Sequence, residues 1–121
     1  MTPTRSDSEL LILYRPVGPK EFELLADSGF REFPRRLPEQ SIFYPVLNQE
    51  YACQIARDWN VPASGAGYVL RFAVRKSFAD RYPVKTVGAS VHQELWIPAE
   101  DLAELNRNIV GNIEVVAEFK K

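Results

Sequence analysis

The chain has 121 residues, 45% of them hydrophobic and 26% charged, with a formal net charge of −1. That length suits one domain with one core, and Lys and Arg dispersed among Asp and Glu argue against a nucleic-acid partner. No apolar run approaches the roughly 20 residues that span a bilayer, and one Cys with one His supplies neither a disulfide nor a zinc ligand set, so neither membrane nor metal is expected.

Residues 1–9 read as a disordered or loose leader, followed by a single domain over 10–121. The leader lacks the basic start and apolar segment of a secretory signal, which predicts a cytoplasmic location. Leu10 to Arg15 reads as a short, central, buried strand ended by Pro16 and Gly18. Pro19 suits a first helical turn, Glu21 and Glu23 lie near its positive end, and Phe22, Leu25 and Ala26 recur at helical spacing, which predicts a helix from Pro19 to Ser28. Phe30 to Gln40 carries Pro34, Pro38, Arg31, Arg35 and Arg36 and reads as a basic surface loop, solvated or facing an acidic partner or a pyrophosphate.

Ser41 to Tyr44 predicts a second strand stopped by Pro45. Asn48 is a good N-cap, and Tyr51, Ile55 and Trp59 at i, i+4 and i+8 predict a buried stripe on a helix from Gln49 to Trp59. Pro62, Gly65 and Gly67 place a loop over Asn60 to Gly67. Alternation then gives the clearest strand, Tyr68 to Arg75, followed by a helical turn over Ser77 to Tyr82, an extended piece over Pro83 to Val87 and a flexible approach over Gly88 to Ser90. Val91 to Pro98 is an apolar strand pattern, Ala99 to Asn106 a short helix with Leu102 and Leu105 inward, and Ile113 to Phe119 a closing strand. About six strands and two or three helices in irregular order make the class α+β, and Gly65-Ala66-Gly67 precedes a strand, so the Rossmann fingerprint is absent.

The chemistry concentrates in His92-Gln93-Glu94-Leu95-Trp96-Ile97-Pro98. In an extended strand His92, Glu94 and Trp96 share one face, while Gln93, Leu95 and Ile97 share the other. A fixed carboxylate in such a place can stabilise a cationic, sugar-like transition state. The plainer alternatives are a solvated strand-edge Glu94, an Arg15 that caps a strand and pairs with a surface acid, Tyr51 and Trp59 as core residues, and Cys53 as an inert thiol.

Three stretches carry a family resemblance. Leu13-Tyr14-Arg15 is similar to the opening strand of the ADP-ribosyltransferase-like fold, Phe43-Tyr44-Pro45-Val46 with the helix of Tyr51 and Ala52 resembles its second strand and following helix, and His92-Gln93-Glu94 looks like its E-x-E or Q-x-E strand. The chain resembles the small bacterial proteins labelled ADP-ribosylation/crystallin J1. It departs from the arginine-containing branch at Tyr44-Pro45-Val46, in place of Ser-Thr-Ser, and at His92, in place of Glu or Gln.

The resemblance implies a compact split sheet, mixed or antiparallel, with NAD bound as a substrate. It implies a mono-ADP-ribosyltransferase that cleaves the nicotinamide–ribose bond and transfers ADP-ribose to a protein or other acceptor. Glu94 would stabilise charge, His92 would assist, Arg15 would hold a phosphate, and Tyr44 or Tyr51 would stack nicotinamide. This reading requires Arg15, Tyr44 and Glu94 to line one cleft. The alternatives are a catalytically inactive module for NAD, ADP-ribose or a protein partner, and an antitoxin-like partner with an apolar rim at Phe30 to Pro38.

Overall fold

A computed structural model of the chain describes residues 9–37, 39–88 and 92–121. The expected leader apart from Glu9, Pro38, most of the approach to the His92 strand, and Val91 at its start lie outside the described residues. The domain is α+β, with several antiparallel ladders and few helices. Along the chain run β1 (Leu10–Val17), α1 (Pro19–Asp27), β2 (Ile42–Phe43), α2 (Gln49–Ile55), a π-helical turn (Ala56–Asn60), α3 (Val61–Ser64) and β3 (Ala66–Arg75). Then come α4 (Lys76–Ala79), β4 (Val84–Thr86), β5 (Gln93–Leu95), β6 (Ile97–Pro98), a 3-10 turn (Ala99–Asp101), α5 (Leu102–Arg107) and β7 (Ile109–Lys120).

β3 is the middle strand of the β1-β3-β7 ladder, and β1, flanked by β3 and by Val46, is interior as expected but, at eight residues, not short. Nor does β1 stop at Pro16, which pairs with Val69 within the strand. Among the described residues only Val46 bridges to the other side of β1, through Tyr14, so the missing N–H of Pro16 breaks no ladder there. Val46 also bridges to Glu94, and β5 pairs with β4, which splices the strands into the order β7-β3-β1-Val46-β5-β4. β2 itself ends at Phe43, before Pro45 as expected, and Val46 is an isolated bridge beyond it.

Both faces of β3 are covered, which is why Val69 and Leu70 are each fully buried. One face, called here the Leu13 face, joins Leu13, Val17, Leu70, Phe72 and Val74 to Leu25 of α1, Phe43, Leu95, Ile97, and Leu102 and Leu105 of α5. The other, the Tyr14 face, packs Tyr14, Val46 and Val69 beneath Ala52, Ala56 and Tyr51.

The second helix does not end at Trp59. It continues through the π turn into α3, with Pro62 in the first turn of that piece and Gly65 closing it at φ 87°. The expected loop over Asn60 to Gly67 is therefore helix followed by the start of β3. The wide π turn also rotates the stripe that begins at Tyr51, so Trp59 is 71% exposed instead of buried. In β7 the register against β3 shifts between Val69 and Leu70 and between Arg71 and Ala73; Val115, paired with Leu70, is exposed, while Ile113 is buried in the larger core.

Gly67 shows how closely helix and sheet approach. A Cβ there would lie 2.5 Å from the Ala56 carbonyl oxygen, an atom of the π turn's own backbone. Gly67→Ala is expected to lower unfolding stability by about 1–3 kcal/mol, read as a lower urea midpoint at unchanged slope.

Candidate functional site

The face of each polar side chain follows from the register. Tyr14 lies opposite Val46, Val46 opposite Glu94, and Glu94 opposite Lys85, so these four share the Tyr14 face. Directly opposed residues point the same way, and neighbours along a strand point oppositely. Arg15, next to Tyr14, therefore projects from the Leu13 face.

On the Tyr14 face Glu94 is held from two sides. The Tyr51 hydroxyl donates to Oε2 at 3.0 Å and the Trp96 indole Nε1–H to Oε1 at 2.7 Å. Asn48 sets the first of these, because it caps α2 by accepting from the Tyr51 backbone N–H at 2.7 Å and so fixes where Tyr51 leaves the helix. The shared face of Glu94 and Trp96, expected from alternation, is present. His92 joins it by stacking on Tyr51, with ring centroids 4.4 Å apart. Its Nδ1 lies 3.1 Å from the Val87 carbonyl and its Nε2 3.3 Å from Gln54 Oε1.

Beside the carboxylate, Tyr44 and Trp96 are 42% and 43% exposed and meet edge to face at 6.0 Å. The Lys85 ammonium lies 5.4 Å from the Trp96 ring centroid. Glu94, His92, Tyr51 and Tyr44 are thus brought to one surface. Lys85 was missed in the sequence, because its place opposite Glu94 depends on the β4–β5 register.

Arg15 is not part of this surface, which corrects the expectation of a single cleft. Its guanidinium forms a two-pronged pair with Glu21, at 2.8 and 2.9 Å, and lies over the Phe43 ring at 4.4 Å. The side chains of the pair are only 11% and 20% exposed. This is the plainer role considered for Arg15, a clamp from β1 to the first turn of α1. Tyr51 packs against the Tyr14-face cluster, as its core reading expects, and its hydroxyl also binds Glu94. The Cys53 thiol is half-buried and pushed up in pKa by burial, which keeps it in the unreactive form.

Burial, and then the hydrogen bond and charge of Glu94, raise the Tyr51 phenol to about 12. Comparison with known proteins finds no matching family model, no matching curated protein and no matching solved structure. Among the described residues no group of His, Cys, Asp and Glu is placed to hold a metal ion, and no helix is long and apolar enough to cross a membrane.

Two outcomes are expected from this geometry. A phenol with a raised folded-state pKa favours the fold below its unfolded value near 10, and that contribution is lost as pH rises toward 12. The alkaline fall in stability between those values should therefore be shallower in Tyr51→Phe, and the 295 nm titration of Tyr51 should move to lower pH in Glu94→Gln. Arg15→Met strands Glu21 and is expected to cost about 1–3 kcal/mol in chemical denaturation.

Proposed function

We propose that this chain is a nucleotide-binding domain of the ADP-ribosyltransferase-like kind, and that its Tyr14 face takes NAD or ADP-ribose. The observation that carries the reading is the fixed Glu94 carboxylate beside two exposed aromatic rings. Tyr44 and Trp96 offer a face and an edge to a flat heteroaromatic ring, and the remaining lone pairs of Glu94 can accept from ribose hydroxyls. Lys85 supplies the positive charge for a phosphate on this face, in the role the family resemblance gave to Arg15. A lysine binds phosphate as a point charge without the paired donors of a guanidinium, so this grip is weaker.

A second reading, transfer chemistry, is favoured by the same carboxylate. Two donors hold Glu94 in one orientation, and a pre-oriented negative charge stabilises a developing ribosyl cation without reorganising during the reaction. In that reading the nicotinamide–ribose bond breaks, nicotinamide leaves with the bonding electron pair, and an acceptor nucleophile on a protein or water adds to the anomeric carbon. His92 is held by Val87 and Gln54 and touches Tyr51, which gives it a positioning role toward Glu94 through that ring. The domain is expected to work in the cytoplasm, with a protein acceptor or partner.

Calorimetric titration with NAD and with ADP-ribose tests the binding reading. Saturable binding that weakens about tenfold or more in Trp96→Ala and is unchanged in Arg15→Met is expected; absence of binding to both nucleotides rejects it. Chromatographic detection of nicotinamide separates the two readings. Release that disappears in Glu94→Gln while NAD affinity is retained supports transfer, whereas binding without release leaves a non-catalytic module.

A further inference from the structure

The basic loop between α1 and β2 is built into a wall. Asn106 of α5 holds Phe33 by both backbone groups, accepting from its N–H at 2.9 Å and donating to its carbonyl at 3.1 Å. At the other end Arg36 donates to the Ile42 carbonyl at 3.0 Å and lies 5.7 Å from the Phe43 ring centroid. Between the loop and α5 opens a cavity of about 520 Å³, within the usual range for small-molecule sites. Phe33 and Leu102 form its apolar floor, and Arg35, Arg36 and Arg107 reach it from two different elements.

Among the described residues none of Arg35, Arg36 and Arg107 forms an ion pair; the Glu21 carboxylate, whose charge favours the Arg36 cation, is itself paired with Arg15. Arg36 Nε is buried without an acceptor. Burial, and then repulsion from Arg15, push the Arg36 pKa down, so a negative charge nearby would relieve it. Glu32 and Glu100 line the same cavity, leaving it one positive charge in excess and giving it two acceptors for hydroxyl groups.

We infer that this cavity is a second binding site, on the opposite side of the sheet from Glu94, for a small phosphate monoester that also carries hydroxyl groups. The guanidinium groups take the phosphate, the carboxylates accept from the hydroxyls, and the Phe33 and Leu102 floor covers the carbon skeleton. A sugar phosphate and a nucleoside monophosphate share this chemistry.

Titration of the full chain with ribose 5-phosphate, AMP and inorganic phosphate, followed by amide shifts and calorimetry, tests the inference. One or both esters are expected to bind with shifts at Phe33, Leu102 and Asn106, and more tightly than inorganic phosphate. AMP binding with weak ribose 5-phosphate binding identifies a nucleotide site, and the reverse a sugar-phosphate site. Because Arg35 and Arg107 are exposed, the pair of changes Arg35→Glu and Arg107→Glu should leave the fold intact, with an unchanged circular dichroism spectrum. Those changes should weaken binding about tenfold or more, whereas Trp96→Ala leaves these shifts unaltered. No shifts at those amides with any probe, equal affinity for bare phosphate, or affinity indifferent to the charge reversals overturns the inference, whatever the outcome at the Glu94 face.

Discussion

The arrangement depends on one residue's backbone. Val46 exchanges both hydrogen bonds with Tyr14, at 2.8 and 2.9 Å, and its neighbours reach β5 through Leu47 N–H to Gln93 O and Leu95 N–H to Pro45 O. That short extended stretch joins the β1-β3-β7 ladder to the β4-β5 pair, and each of its bonds is made with both strands in fixed register. Register decides which side chains face which way, so Val46 decides that Glu94 stands with Tyr14 and away from Arg15. The same register produces a transverse row across the sheet, Glu114, Arg71, Tyr14, Val46, Glu94 and Lys85.

The two faces then acquire different chemistry from one core plan. On the Tyr14 face a small cluster covers only part of the sheet, so aromatic rings beyond the reach of α2 remain exposed around a tethered carboxylate. On the Leu13 face α1, the basic loop and α5 all pack down, and their polar groups are drawn into fixed positions at the margin of the larger core. Arg15 illustrates the difference. It sits at the edge of that core, where a partly buried guanidinium requires a partner, and Glu21 lies within reach because α1 begins two residues after β1 ends. Glu21, in the first turn of α1 where it meets the helix dipole, thus serves the strand as well.

What could be read from the sequence was whatever depends on nearby residues. The α+β class, the helix after Pro19, the Asn48 cap, the alternation of β3 and the shared face of His92, Glu94 and Trp96 all follow from spacing or from one residue's chemistry. The failures needed information held elsewhere in the chain. Pro16 passes for a strand stop unless it is known that β1 meets only a single bridge, at Tyr14, on the side of the missing N–H, and Pro62 for a loop unless a π turn precedes it. The candidate site divides in the same way. The pairing of Glu94 with Trp96 is local to one strand, while the contribution of Tyr51, the approach of Lys85 and the exclusion of Arg15 are set by which strand lies beside which.

That exclusion is firm on energetic grounds. Moving Arg15 to the Glu94 side would require β1 to slip by one residue, and a slip turns every side chain of the strand over. Leu13 and Val17, both buried in the larger core, would then face the opposite side, and each loses roughly 1.5–3 kcal/mol of burial. The Arg15–Glu21 pair would break as well, leaving a partly buried carboxylate uncompensated. The sum rivals the entire stability of a domain of this size, about 5–15 kcal/mol. No local adjustment on ligand binding brings the guanidinium to Glu94, so a phosphate held near that carboxylate must be held by other groups, and of the cations in the same transverse row Lys85 stands directly opposite it while Arg71 is engaged by Glu114.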